Sequence, residues 1–310
     1  MRRPPAWKAL VRSGELVRRA VAAREHLHAC DLCGRRCGAD RLEEGSLLGA
    51  CRTGERAVVA SWGPHHGEEA PVSGTRGSGT VFFSFCNLAC EFCQNADVSR
   101  LGEGRAATPM ALAAIFLALE DEGCHNLNLV SPTHVLPQVL EALTLAAGSG
   151  FSLPLVWNTG GYDSLEALLL LDGVVDVYMP DMKYGDAATA RAFSGVEDYP
   201  AVNRAAVKEM HRQVGDLLLD GEGVAARGLL VRHLVLPGGL AGSEEVFRFL
   251  AAEVSTGTYL NVMAQYRPAY RARFHPPLDR TPTEEELAAA LALATRRGLT
   301  RLDGAGPRAR

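Results

Sequence analysis

Three closely spaced cysteines are the residues of this sequence best suited to chemistry. Cys86, Cys90 and Cys93 are separated by three and then two residues in the segment FCNLACEFCQN. Thiolates are soft ligands that bind iron–sulfur clusters and zinc. The spacing differs from those of the four-cysteine ferredoxins, and only three ligands are available locally. We therefore predict a 4Fe-4S cluster with one iron left open. The alternative is a zinc site completed by a ligand from elsewhere in the chain.

A second group of cysteines precedes the first. Cys30, Cys33, Cys37 and Cys51 form the pattern C-x2-C-x3-C-x13-C in a glycine-rich segment. Four thiolates can hold zinc tetrahedrally or ligate a second iron–sulfur cluster, and the spacing does not choose between them. Cys124 stands alone near the end of a predicted helix, so we expect a buried structural thiol there.

Length and composition limit the classes of protein that fit. The chain has 310 residues, 47% of them hydrophobic, which is enough for one large α/β domain or a barrel with a small appendage. The net charge of −4 is spread along the chain, so we expect neither nucleic acid nor a membrane as partner. No apolar run of signal-peptide length follows the N-terminus, which predicts a cytoplasmic protein whose cysteines bind metal rather than form disulfides.

Segments of strand and helix character alternate from residue 80 onward. Alternation of this kind implies parallel βαβ units, and about six are visible, too few for an eight-stranded barrel. We therefore predict an α/β fold with an open, partial (β/α)6 barrel whose ligands bind where the strands end. The predicted strands cover residues 80–85, 126–131, 154–158, 174–182, 229–236 and 259–264. The predicted helices cover residues 108–122, 136–147, 164–171, 200–219, 243–254 and 283–297.

The segments outside this alternation divide the chain. We expect an N-terminal helix over residues 13–28, capped by Ser13, and a four-cysteine metal knuckle within residues 1–57. Residues 58–79 are predicted to connect it to a barrel over 80–270, followed by a helical extension over 271–310. The glycine- and proline-rich stretch 61–79 is interpreted as a long functional loop in which His66 and Glu68 are acid–base candidates.

With Phe92 directly before its last cysteine, the three-cysteine motif resembles the signature of the radical S-adenosylmethionine (SAM) superfamily. The resemblance extends over residues 55–270. It points to an uncharacterised branch of iron–sulfur proteins related to pyruvate formate-lyase activating enzyme. It implies that the open iron chelates SAM, whose reductive cleavage gives a 5′-deoxyadenosyl radical that abstracts hydrogen from a substrate. It also implies an external electron donor of the flavodoxin or ferredoxin type.

The same resemblance places SAM contacts after successive strands. In family terms, the loop after the second strand holds the SAM amino group, although this chain has no carboxylate there. The third strand is followed by ribose contacts, and the fourth by an Asp-x-Lys element near the methionine part. Neighbouring strand residues face opposite sides, so only one of Arg232 and His233 can point inward, and Arg232 is favoured. The cofactor-binding candidates are Phe92, Ser131, Thr133, Asn158, Thr159, Asp181, Lys183, Arg232 and His233, and Gln265 and Tyr266 are candidates for lining a substrate pocket.

Three functions stay open on the sequence. The first is hydrogen abstraction from a protein glycine, as in an activating enzyme, and the second is radical SAM modification of a small molecule or peptide. The third is a non-enzymatic iron–sulfur or zinc protein. Activating enzymes with extra clusters carry them after the radical motif, whereas here the cysteine quartet precedes it, so the literal transfer of that activity is weakened.

Overall fold

The computed structural model of the chain describes residues 4–43 and 49–303, and these form a mixed α/β fold with a nine-stranded sheet. The strand order is β3-β1-β2-β4-β5-β6-β8-β7, with β9 also paired to β8. The strands are β1 (Ala57–His65), β2 (Ser78–Phe83), β3 (Arg105–Ala107), β4 (Leu127–Val130), β5 (Leu155–Thr159), β6 (Val177–Pro180), β7 (Leu218–Leu219), β8 (Ala225–Leu234) and β9 (Tyr259–Met263).

The six strands predicted from the alternation are all present, and they are parallel neighbours. The pairs are β2 with β4, β4 with β5, β5 with β6, β6 with β8, and β8 with β9. Their carboxyl ends therefore lie along one edge of the sheet. Any side chains that follow these strands are brought together there.

Helices connect these strands. They are α1 (Trp7–Arg12), α2 (Glu15–Glu25), α3 (Ala70–Ser73), α4 (Pro109–Asp121), α5 (Leu136–Gly148), α6 (Leu165–Leu171), α7 (Ala187–Ser194), α8 (Tyr199–Val214), α9 (Ser243–Phe249) and α10 (Glu284–Arg296). A π-helical turn over Leu250–Val254 continues α9. Local sequence explains several starts: the side chains of Thr108 and Ser164 cap α4 and α6, and Thr283 and Glu286 form a capping box on α10.

The stretch predicted as a loop over residues 61–79 is largely regular. Strand β1 continues to His65 and pairs antiparallel with β2, and α3 follows. Gly63 and Pro64 are unfavourable in strands, so the sequence does not predict this part of β1. Pro64 is tolerated because β3 pairs only with residues 57–59 of β1, so the backbone at Pro64 has a free side.

Two helix ends also differ from the prediction. Ser13 ends α1, whereas α2 begins after Gly14, whose φ of 72° is left-handed. The helix predicted to reach residue 219 ends at Val214, because Gly215, with a φ of 72° and a ψ of −165°, leaves the helical path and short strand β7 follows.

The two faces of the sheet have different coverings. Trp157 and Tyr178 point to the face packed by the helices, within the main hydrophobic core. Their neighbours Val156 and Val177 point to the other face and pack with Val72 of α3 in a smaller cluster. The side chains that continue this second alternation toward the strand ends form the candidate site.

Candidate functional site

The three-cysteine loop follows β2 and is fixed by arginines. Phe85 and Ala89 have φ values of 68° and 60°, and these left-handed residues bend the chain. Arg35 donates from Nε to the carbonyl of Asn87 at 2.6 Å and from Nη2 to that of Leu88 at 3.1 Å. Arg100 donates to the carbonyl of Ala89 at 3.1 Å. The loop is therefore held from outside by cationic donors on its carbonyl groups.

All three cysteines of this loop line one cavity of about 350 Å³. Each sulfur has a polar neighbour: the Leu88 amide donates to Cys86 Sγ at 3.4 Å, the Ser194 hydroxyl to Cys90 Sγ at 3.1 Å, and the Ser99 hydroxyl lies 3.1 Å from Cys93 Sγ. Hydroxyl and amide groups at these distances are suited to stabilising sulfur that carries negative charge.

Burial raises the pKa of Cys86 to about 11, and the nearby Cys90 and Cys93 add to the shift. Burial also raises the pKa of Cys90, although Lys183 acts in the opposite direction. With no metal bound, these two thiols are therefore protonated at neutral pH despite the nearby Lys183. A bound metal centre would add positive charge and displace the protons.

The donor chemistry of the three cysteines suits an iron–sulfur cluster. Within residues 4–43 and 49–303, no three side chains of His, Cys, Asp or Glu are grouped so that they could hold one metal ion. The thiolates of a cubane cluster do not need to converge in this way, because each binds a different iron. The donor set and the shared cavity of Cys86, Cys90 and Cys93 therefore suit a 4Fe-4S cluster.

Charged and polar side chains from four parallel strand ends line the same cavity. Arg232 donates to Asp181 at 2.8 Å and to the Asn158 side-chain oxygen at 2.7 Å, and Lys183 donates to Asp181 at 2.5 Å. Burial acts to raise the pKa of Asp181, but the charges of Arg232 and Lys183 outweigh it and the pKa is lowered. Asp181 attracts both cations and raises their pKa values despite burial. The group is thus fully ionised at neutral pH.

Glu68 lies next to the charged group of Arg232, Asp181 and Lys183. Its carboxylate lies 3.6 Å from Arg232 and accepts from the Asn128 side chain at 3.1 Å. Burial raises the pKa of Glu68, while Arg232 opposes the shift. The predicted acid–base partner His66 is exposed. Of this pair, the structure brings only Glu68 to the cavity's charged residues.

The hydroxyl groups at the ends of β4 and β5 are linked through one carboxylate. Ser131, with a φ of 56°, lines the cavity, as does Thr159. Thr133 is buried behind them, and its hydroxyl donates to Asp163 at 2.8 Å, as that of Thr159 does at 2.7 Å. Trp157 donates to the same carboxylate at 3.1 Å. Asp163, which the sequence analysis missed, therefore holds Thr133 and Thr159 in place; no motif marks it.

Two predicted contact residues lie away from the cavity. His233 points to the helical face, where its ring nitrogens lie 2.7 Å from the Met182 carbonyl oxygen and 2.9 Å from the Ser243 hydroxyl. Burial lowers its pKa to about 4. Assigning His233 to the cofactor site thus disagrees with the strand alternation, which directs Arg232 inward. Phe92 does not line the cavity and packs edge-on against Tyr184 at 6.2 Å, supporting the loop from behind.

Gln265 and Tyr266, the candidate residues after β9, have different surroundings. Tyr266 is buried, packs edge-on against Phe92 at 5.9 Å and donates its hydroxyl to the Leu278 carbonyl at 2.6 Å. Gln265 is exposed, and its backbone carbonyl accepts from Gln94 at 3.1 Å. Neither residue lines the cavity, and Tyr266 packs against the three-cysteine loop through Phe92.

The N-terminal quartet packs against the three-cysteine loop. Cys30, Cys33 and Cys51 are buried and Cys37 is exposed. Burial raises the pKa of Cys33 to about 12, and Cys51 and Cys30 add to the shift. Residues 44–48 of the predicted knuckle lie outside the described residues, as do 1–3 of the N-terminal unit and 304–310 of the C-terminal extension. Cys124 is a buried thiol, as expected.

Comparisons with known proteins place the chain in a family. No family model matches it, and none of the described helices is long and apolar enough to cross a bilayer. The crystal structure of a radical SAM methyltransferase from Sphaerobacter thermophilus matches with a TM-score of 0.48 and 18% identity, over 71% of this chain and 64% of that one. At that level of similarity no property of the methyltransferase is carried over.

A relative in Methanocaldococcus jannaschii, the uncharacterised protein MJ0674, is 33% identical over 280 residues, which cover 87% of this chain and 75% of the relative. Identity at this level over most of both chains shows common descent. The chain therefore belongs to the same protein family as MJ0674.

Proposed function

We propose that the chain is a radical SAM enzyme. The observation that carries this proposal is that the three cysteines of the C-x3-C-x2-C motif line one cavity with Ser131, Asn158, Asp181 and Arg232 from successive parallel strands. A metal-binding loop alone would suit an electron carrier. The strand-end groups add a second binding region beside the sulfurs, which a carrier does not need.

The residues of the cavity have distinct parts in this proposal. Cys86, Cys90 and Cys93 would hold a 4Fe-4S cluster, which supplies an open iron for SAM and an electron that cleaves SAM to methionine and a 5′-deoxyadenosyl radical. Lys183 and Arg232 stay cationic and give the cavity charges suited to a carboxylate. Asn158 and Thr159 present amide and hydroxyl groups suited to ribose. Ser131 adds a hydroxyl and Asp181 holds both cations in position.

The finer assignments rest on the resemblance of the motifs. We propose that the six parallel strands form a partial (β/α)6 barrel of the radical SAM type, located in the cytoplasm and supplied by an external flavodoxin or ferredoxin. The elements Asp181-Met182-Lys183 and Arg232 to Gly238 resemble those of pyruvate formate-lyase activating enzyme. They support hydrogen abstraction from a protein glycine, with a small molecule or a peptide as the alternative substrate.

We also propose that Cys30, Cys33, Cys37 and Cys51 form a second metal centre. The spacing of the four cysteines and the burial of three of these thiols support it. Four thiolates could hold either zinc or an auxiliary iron–sulfur cluster, and a single ion would need these cysteines to come closer together than they are in the described residues.

One experiment tests the enzyme class. The chain is reconstituted anaerobically with iron and sulfide and assayed for 5′-deoxyadenosine from SAM with dithionite as reductant. We expect turnover by the wild type, its loss in Cys86→Ala, and its retention in Cys124→Ala, a matched control at a buried thiol outside both cysteine groups. A reconstituted wild type that forms a cluster but no 5′-deoxyadenosine would overturn the proposal.

A further inference from the structure

An arginine-rich groove borders the three-cysteine loop. Two adjoining hollows share Ala50, Ala89 and Arg100, and one of them reaches Cys86. We call their combined lining the arginine groove. Its arginines come from the knuckle, from the segment after the loop and from the later connections: Arg35, Arg52, Arg100, Arg191 and Arg271.

The charges in this groove are only partly neutralised. Among the described residues, neither Arg35, Arg52 nor Arg100 forms an ion pair with a carboxylate. Arg100 instead donates to a backbone carbonyl and lies 5.6 Å from the Tyr270 ring, and Arg52 lies 4.9 Å from the Phe85 ring. Stacking of this kind leaves the guanidinium charge in place.

The two remaining arginines have acidic partners. Arg271 lies 3.1 Å from Glu91 and Arg191 lies 3.6 Å from Glu197, and the second pair is largely exposed, at 74% and 69% of the side chains. Counting only residues 4–43 and 49–303, the five arginines and these two carboxylates leave an excess of three positive charges at the groove, while the whole chain carries −4. The groove therefore has the opposite sign to the protein as a whole.

A groove of this sign beside Cys86 fits a negatively charged redox partner. Complementary charges raise the rate of encounter and orient short-lived complexes. The proposed reaction needs one electron per SAM: the reduced donor loses it, and SAM gains it as one carbon–sulfur bond breaks to give methionine and the 5′-deoxyadenosyl radical. A partner seated on the groove would contact the Cys86 loop.

We propose that the arginine groove is the docking surface for a small acidic electron-transfer protein. This proposal rests on the proposed function, since it assigns the electron donor of that reaction to a surface. It adds a role for Arg52 and Arg191, which do not line the cavity that the three cysteines share.

Binding tests the surface without turnover. The anaerobically reconstituted full-length chain is titrated by calorimetry with a flavodoxin of net negative charge. We expect Kd to rise with salt, and to rise about tenfold when Arg52→Gln is combined with Arg191→Glu. Arg12→Glu is the control: this exposed arginine ends α1, and the residue before α1, Ala6, is bonded to Asp176 near the amino end of β6, away from the groove. Arg12→Glu should bind like the wild type.

The reaction supplies a second readout. The ratio of flavodoxin-driven to dithionite-driven 5′-deoxyadenosine formation should fall about tenfold in the same double variant, because dithionite needs no docking surface. Equal Kd values and equal ratios in the double variant and in Arg12→Glu would overturn the docking proposal. Failure of the wild type with dithionite would instead count against the proposed function, and the titration would still test the groove.

Discussion

Asp181 holds two buried cations, and its replacement by asparagine should destabilise the fold measurably. The side chains of Asp181, Lys183 and Arg232 are only 12%, 20% and 16% exposed, so water cannot take the place of the lost carboxylate charge. Removing one partner from a buried ionic group costs about 3 kcal/mol or more. For a chain of this size, that loss corresponds to a Tm lowered by roughly 6 °C.

The matched control is a carboxylate at the surface. Asp172 pairs with Arg212, and these side chains are 39% and 56% exposed. Asp172→Asn should therefore cost less than about 1 kcal/mol. Urea denaturation of the three proteins measures the difference in the free energy of unfolding. Adding Lys183→Met to Asp181→Asn should recover part of the loss, because one unpaired cation is then removed.

The pH dependence gives the prediction a sign. The pKa of Asp181 is lower in the folded than in the unfolded state. Its contribution to the free energy of unfolding is therefore fully present above the unfolded pKa and is lost as the pH falls through the folded pKa. The difference between wild type and Asp181→Asn should therefore be constant near neutral pH and shrink below about pH 4. If Asp181→Asn loses no more stability at pH 7 than Asp172→Asn, the argument from burial is wrong.

Three further outcomes can be checked. Burial lowers the pKa of His233 to about 4, so between about pH 6.5 and pH 4 this histidine is protonated in the unfolded chain but not in the folded one. The free energy of unfolding should therefore fall on acidification below about pH 6.5, by up to about 1.4 kcal/mol per pH unit. His233→Gln should reduce this slope, as measured by urea denaturation. Arg35→Met should lower the iron bound per chain after reconstitution, whereas Arg36→Met, at an exposed ion pair with a glutamate, should not. The combined change Cys30→Ala and Cys33→Ala should remove the metal of the quartet and leave the iron of the three-cysteine loop, as measured by iron and zinc counts.

The parallel strands were predictable because each is a short apolar run beside a helical pattern. The edge of the sheet was not: β1 contains Gly63 and Pro64, and a strand with one free side does not need the regular alternation that identifies it. The opposite orientations of Arg232 and His233 followed from strand geometry alone. Asp163 could not have been found, since it serves the cavity through hydrogen bonds to Thr133 and Thr159, and a single carboxylate in a sequence carries no sign of such partners.

Arg35 couples the N-terminal cysteine segment to the three-cysteine loop. It lies between Cys33 and Cys37, and its guanidinium donates to carbonyls within the three-cysteine loop and to that of Ser194, at the end of α7, at 3.0 Å. The Asn87 side chain in turn donates to the Tyr162 carbonyl at 3.1 Å. This carbonyl lies next to the antiparallel backbone bridge between Cys33 and Asp163. Disorder in the N-terminal segment would therefore withdraw donors from the loop that follows β2.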